Sequence, residues 1–193
     1  MKFFFSKHDI EKADISDERG RVLYEIRTKN SLIHADKTTI TKVSSNPFVL
    51  ANIEWHSFHS STLRFNEMEV KMSEFFPSER RGRIRFFAAP DGRKYKWRLD
   101  MKDCIFGELD ECGLTTEIAM LGAQSAGGFF HQDTHFLEVS PSALPLLDTI
   151  VMTFVCLERS RKELNNREES REIEASMDHR EAEDARVEDI LDH

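Results

Sequence analysis

The sequence predicts a mainly β protein, an antiparallel sandwich or barrel, with its strands wrapped around one central C-terminal helix. Three observations lead there. Residues 1–140 hold about ten short alternating or β-branched runs, spaced by turn signals with no helical period between them. The stretch 143–157, ALPLLDTIVMTFVCL, is apolar on nearly every side of a helical wheel; only Asp148, Thr149 and Thr153 interrupt it. A helix that is apolar all round must be buried all round, and fifteen residues span about 22 Å, the height of a small barrel rather than of a bilayer.

The elements follow in order. Phe3-Phe4-Phe5 opens as a strand. Ile15, then Asp17-Glu18-Arg19-Gly20, then Val22 to Ile26 reads as a hairpin with glycine at its turn. Thr38 to Val43 is β-branched and alternating, Phe48 to Trp55 is apolar, and Met68 to Met72 alternates cleanly. Arg83 to Ala88 and Arg93 to Leu99 flank Pro90-Asp91-Gly92, whose residues preset turn geometry. Cys104 to Leu109, Glu117 to Leu121 and His135 to Val139 complete the strands. The helix is expected over about 142–163, with Ser142 as its cap and Pro145 in its first turn, where a missing N–H has no partner anyway. The strands and helix form one body over 1–163, and 164–193 forms an acidic tail, helical or disordered.

Charge divides along the same line. Residues 158–193 carry 13 acids and 7 bases, net −6, whereas 1–157 carry 22 acids and 20 bases, net −2. The 39% apolar content of this 193-residue chain supports one core and excludes collagen-like or wholly disordered classes. No apolar run reaches the roughly 18–20 residues of a spanning helix, so no transmembrane segment is expected. The start is too short an apolar run for a secretory signal. Cys104, Cys112 and Cys156 are odd in number and make no CxxC pair, which predicts free thiols, no metal and a cytoplasmic location.

Several stretches together carry a likeness: Leu23-Tyr24-Glu25-Ile26-Arg27-Thr28, Thr38-Thr39-Ile40, Ile53-Glu54-Trp55-His56, Asp91-Gly92-Arg93-Lys94-Tyr95-Lys96-Trp97-Arg98, and Leu147-Asp148-Thr149-Ile150-Val151-Met152-Thr153-Phe154-Val155. In these the chain resembles, over roughly 1–163, an uncharacterised family of mushroom-forming fungi catalogued as a domain of unknown function. That family is similar in architecture to the tubby C-terminal, plant LURP-one-related and phospholipid scramblase domains. The resemblance implies a closed antiparallel β-barrel of about 10–12 strands around a central hydrophobic C-terminal helix.

The densest chemical feature is basic. Arg80, Arg81, Arg83, Arg85, Arg93, Lys94, Lys96, Arg98 and Lys102 face only Asp91 and Asp100, net +7 over 80–102. Period-2 alternation puts Lys94, Lys96 and Arg98 on one face and Tyr95, Trp97 and Leu99 on the other. Arg83 and Arg85 alternate likewise with Ile84 and Phe86. Arg83, Arg85, Arg93, Lys94, Lys96 and Arg98 are therefore the candidate anion-binding set, and the tubby-like resemblance turns it toward anionic lipid headgroups. Trp55, Trp97, Asp148 and Phe154 are expected to be structural. Asp148 should tie helix to strands through an Arg or a His, because a buried carboxylate needs a partner.

Other constellations are thinner. Glu54 and His56 share a strand face, as an acid/base pair would, but no nucleophile or orienting group follows. His131 and His135 have zinc-pair spacing only in a helix, and they sit in a loop running into a strand; His56 and His59 are no better placed. Gly122 and Gly127-Gly128 form no nucleotide loop and no GxSxG occurs. The paired phenylalanines Phe75-Phe76, Phe86-Phe87 and Phe129-Phe130 read as packing. The expected function is a non-enzymatic binding or scaffold module without cofactors, cytoplasmic or peripheral at membranes. Its expected partner is anionic phospholipid or another protein, not nucleic acid. The alternative is a protein-interaction adaptor that acts through the acidic tail.

Overall fold

The structure, a computed structural model, describes residues 1–31, 35–56, 60–80, 83–89, 91–99, 104–124 and 134–191; side chains at 167–169, 171–175 and 178–191 are not described. Arg81, Lys102, Asp100, Pro90, His59, His131 and the 127–130 stretch therefore lie outside the described residues. The chain divides into two compact units, Met1–Glu158 and Arg159–His193.

The first unit is one antiparallel sheet of 13 strands: β1 (Lys2–Phe5), β2 (Asp14–Ser16), β3 (Val22–Lys29), β4 (Asp36–Lys42), β5 (Phe48–Trp55), β6 (Thr62–Phe65), β7 (Met68–Lys71), β8 (Ser78–Glu79), β9 (Ile84–Ala88), β10 (Lys94–Leu99), β11 (Cys104–Leu109), β12 (Thr115–Gln124) and β13 (Thr134–Val139). Helix α1 (Met72–Phe75) joins β7 to β8, and α2 (Leu147–Leu191) follows β13. Every strand pairs with its neighbours in sequence except β7 and β8, and one further ladder joins β1 to β13, Phe3 opposite Leu137. The edges are therefore β7 and β8, which are consecutive in the chain.

The closed barrel meets a limit here. Among the described residues no ladder joins β7 to β8, so the sheet is open along that seam. Both edges are short, four and two residues, and the chain leaves β7 directly into α1. Short edges blunted by a helix resist pairing with anything.

The sheet nevertheless buries the first turns of α2. Ile150 to Glu158 are consecutive and each is at most 3% exposed. Nine residues make about two and a half helical turns, so no side of this segment meets water. Alternate residues of the strands supply the cover: Phe3 and Phe5, Tyr24 and Ile26, Ile53 and Trp55, Trp97 and Leu99, Leu137 and Val139 are all buried. An aromatic chain threads this core, from Phe87 to Phe106 (5.7 Å between centroids), to Trp97 (4.7 Å), to Phe154 (5.6 Å) and to Phe5 (5.6 Å). Of the paired phenylalanines, Phe75, Phe76 and Phe87 pack ring against ring, whereas Phe86 is half-buried.

The helix begins later than expected. Pro141–Leu146 winds as a 3-10 turn, and α geometry starts at Leu147. Ser142 is no cap: Ser140 occupies the position before the turn, and its hydroxyl meets that of Ser142 at 2.9 Å. Pro145 offers no N–H and sterically discourages α geometry at Leu144, which delays the α-helix past it. Pro141–Asn166 is also long and apolar enough to cross a membrane, contrary to the count of apolar residues alone. The burial of Ile150–Glu158 inside the sheet accounts for that apolarity. In the second unit the helix continues unbroken to Leu191.

Candidate functional site

The basic hairpin is built from its turn outward. Gly92 has φ +79°, a left-handed conformation that side chains disfavour. Its N–H reaches the Ala89 carbonyl at 2.9 Å, and Arg93 N–H in turn reaches an Asp91 carboxylate oxygen at 3.0 Å. The other Asp91 oxygen accepts the Tyr95 hydroxyl at 2.6 Å. Burial, then this hydrogen bond to a carboxylate, pushes the Tyr95 phenol well above its ordinary value. From that turn β10 alternates as the sequence requires: Tyr95, Trp97 and Leu99 are buried, and Lys94, Lys96 and Arg98 lie on the outer side.

The register decides which other side chains join the outer row, since residues directly opposite in an antiparallel pair share a face. Lys94 stands between Ala88 and Leu109, Lys96 between Phe86 and Gly107, and Arg98 between Ile84 and Ile105. Ile84, Phe86, Ile105 and Leu109 are all half-buried. The outer face of β9–β11 is thus a row of three cations, about 7 Å apart along the strand, flanked by apolar side chains.

Arg85 does not belong to that row. It lies opposite Trp97, on the inner face. Its Nη1 donates to the Phe76 carbonyl at 3.0 Å, and its guanidinium lies 5.7 Å over the Phe76 ring. Arg83 precedes β9 with the same parity as Arg85; it is half-buried, and its carbonyl accepts Leu99 N–H at 2.8 Å. Alternation alone groups these arginines with the lysines only if the register is one residue different. At the turn Arg93 pairs with Glu108 (3.0 Å), and at the far end Arg98 approaches Glu117 (3.7 Å). Lys94 and Lys96 have no carboxylate partner among the described residues.

Of Trp55, Trp97, Asp148 and Phe154, the three aromatic side chains are buried and Asp148 is about a third exposed. Trp97 Nε1 donates to the Thr153 hydroxyl at 2.9 Å, and that hydroxyl donates to the Thr149 carbonyl at 2.8 Å. Trp55 Nε1 donates to Thr38 at 2.8 Å. Asp148, in the first turn of α2, meets neither Arg nor His among the described residues. Tyr24 donates its hydroxyl to one carboxylate oxygen at 2.5 Å, and Lys42 Nζ reaches the other at 2.7 Å. Tyr24 and Lys42 are a cross-strand pair on β3 and β4, so one face presents two donors to one carboxylate. Burial and the neighbouring Asp148 raise the Tyr24 phenol far above its usual range.

Glu54 is engaged by two cations. Lys37 (2.9 Å) and Arg64 (2.7 Å) both hold its carboxylate, and their hydrogen bonds keep that carboxyl below the usual range. The His135 ring stands edge-on to His8 at 4.7 Å. Among the described residues no group of three His, Cys, Asp or Glu side chains is placed to hold a metal. Cys104 and Cys156 are buried and Cys112 is exposed, and none of the three forms a disulfide. Burial pushes the Cys156 thiol up to about 12, against a smaller opposing pull from the Arg85 charge.

A family model described as a family of unknown function, DUF6593, matches residues 8–163. The chain belongs to this family. No curated protein and no solved structure matches it. The matched span takes in the outer row of β10, the Asp148 tie and the buried segment of α2.

This DUF6593 chain also holds a cavity that sequence reasoning missed. It lies at the open seam, with a volume of about 540 Å³, and its walls include Leu50, Phe65, Val70, Phe75, Met152 and Asp148. These residues come from five separate elements, so no local spacing could have announced them. The one available signal is the short FNEM turn: Asn66 and Glu67 both have positive φ (47° and 61°) and fold β7 back on β6 at the rim.

Proposed function

We propose that the protein is a non-enzymatic binding module, cytoplasmic and peripheral at membranes, whose β9–β11 outer face meets anionic lipid headgroups. The observation that carries this reading is that, among the described residues, Lys94 and Lys96 have no carboxylate partner within a row completed by Arg98. The half-buried Ile84, Phe86, Ile105 and Leu109 beside them suit the boundary between headgroups and acyl chains. A Lys or Arg near an anionic surface contributes about 1 kcal/mol. Three such residues give roughly a hundredfold preference, enough for reversible association and not for permanent anchoring. Finer features of the fold enter the same reading. A meander whose edge strands are consecutive in sequence, curled around a buried helix, is read as a tubby C-terminal-like barrel with its seam at β7 and β8.

The test is co-sedimentation with vesicles of phosphatidylserine in phosphatidylcholine, with phosphatidylcholine alone as control. The intact chain should pellet with the anionic vesicles only, and the triple variant Lys94→Glu, Lys96→Glu, Arg98→Glu should stay in solution. An intact chain that ignores anionic vesicles overturns the reading.

A further inference from the structure

The seam cavity points to a second binding function, one that does not rest on the outer-face reading. Its volume, about 540 Å³, falls in the range of small-molecule sites, roughly 300–1,000 Å³. Its lining is apolar except at Asn66, Asp148 and Thr149. Met68 at the rim is half exposed, which leaves an apolar approach from solvent.

The chemistry of the polar wall selects the ligand. Asp148 is about a third exposed, and its charge is already met by Lys42. Each of its oxygens accepts one hydrogen bond, from Tyr24 or from Lys42, while a carboxylate oxygen can accept two. The wall therefore offers spare acceptors and no spare charge. An anionic head would meet the carboxylate with its counter-ion already engaged. A cationic head would arrive as an unbalanced charge in an apolar pocket, which is costly. A hydroxyl supplies the missing donor and brings no charge. We infer that the seam cavity binds a neutral amphipathic alcohol, its hydrocarbon body among Leu50, Phe65, Val70, Phe75 and Met152 and its hydroxyl donating to Asp148.

The experiment uses Nile red, whose fluorescence rises in apolar pockets, on the full-length protein at pH 8, with 1-dodecanol and dodecanoate as matched competitors. Dodecanol should displace the dye at a concentration at least tenfold below dodecanoate. Val70→Trp, a half-exposed position on the edge strand β7, should fill the cavity and abolish both dye uptake and dodecanol competition while the fold persists by circular dichroism. Asp148→Asn keeps an acceptor for Tyr24 but uncovers the Lys42 charge, so it should shift the preference toward dodecanoate; loss of packing alone would not reverse it. If Asp148→Asn does not fold, Val70→Trp decides the matter. No dye uptake, equal competition by the two chains, or unchanged dodecanol binding in Val70→Trp overturns the inference. Vesicle binding by the outer face is read separately and need not change with any of these results.

Discussion

The outer surfaces of β4–β7 and of β9–β11 obey the same alternation and carry their charges in different ways. On β4–β7, Glu54 lies between Lys37 and Arg64, and Arg64 also reaches Glu69 at 2.6 Å. Lys37 stands opposite Glu54 and Arg64 opposite Glu69 in the ladder, so both of these cations have an acid as a cross-strand neighbour. On β10 the cross-strand neighbours of Lys94 and Lys96 are Ala88, Phe86, Leu109 and Gly107. One surface pairs Lys37 and Arg64 with acids across the ladder; on the other, Lys94 and Lys96 have no carboxylate partner among the described residues, while Arg93 and Arg98 approach Glu108 and Glu117. A count of basic residues does not separate the two. The residue across the ladder does.

The largest expected contrast is in binding to anionic vesicles. Reversing Lys94, Lys96 and Arg98 should weaken association about a hundredfold or more, whereas Lys37→Glu with Arg64→Glu should leave it within about twofold. Equal losses from both sets, measured by vesicle titration, would reduce the comparison to net charge.

A smaller effect separates the faces in stability. Glu54→Gln should lower the Tm at pH 7 by a few degrees at most, since exposed ion pairs contribute little, and Lys96→Gln should leave it unchanged. The sign with pH follows from the Glu54 carboxyl, held below its unfolded value of about 4.3 by Lys37 and Arg64. Its contribution is complete above that value and is lost as the pH falls through the lowered folded one. The Tm gap between Glu54→Gln and the unmutated protein should therefore narrow on acidification from about pH 4.3; a gap that widens contradicts the pairing.

The smallest effect comes from the C-terminal segment. Residues 164–193 hold 11 acids and 4 bases, so ending the chain at 163 moves the net charge from −8 to −1. Vesicle affinity at low salt should rise a few-fold on truncation, and the gain should vanish at 0.5 M salt, where screening acts within about 4 Å. Lost affinity on truncation would instead favour an adaptor that works through its tail.

Much of this was legible in the sequence, for physical reasons that also mark where legibility ends. The inner and outer faces of β10 followed from strict alternation, and the central helix from apolarity on every side. Arg85 was misplaced because its face depends on the register between β9 and β10, which the turn between them sets. The partners of Asp148 were hidden by distance along the chain, 124 residues to Tyr24 and 106 to Lys42. A tyrosine at an inward position was the available clue, since a buried phenol needs a hydrogen-bond partner. β6 escaped notice because Thr62–Phe65 is four residues long with two apolar members. With it went the seam, where β7 stops at α1 and the sheet stays open beside the cavity.

The central claim is that Lys94 and Lys96 face the partner and Lys37 does not. Acetylation footprinting tests it directly: the intact chain is labelled with an amine-reactive acetyl ester, with and without phosphatidylserine vesicles, and each lysine is followed by peptide mass. The account requires slower labelling of Lys94 and Lys96 on the vesicles and an unchanged rate at Lys37. Protection of Lys37 to the same degree, or none at Lys94 and Lys96 while the protein is vesicle-bound, would contradict it.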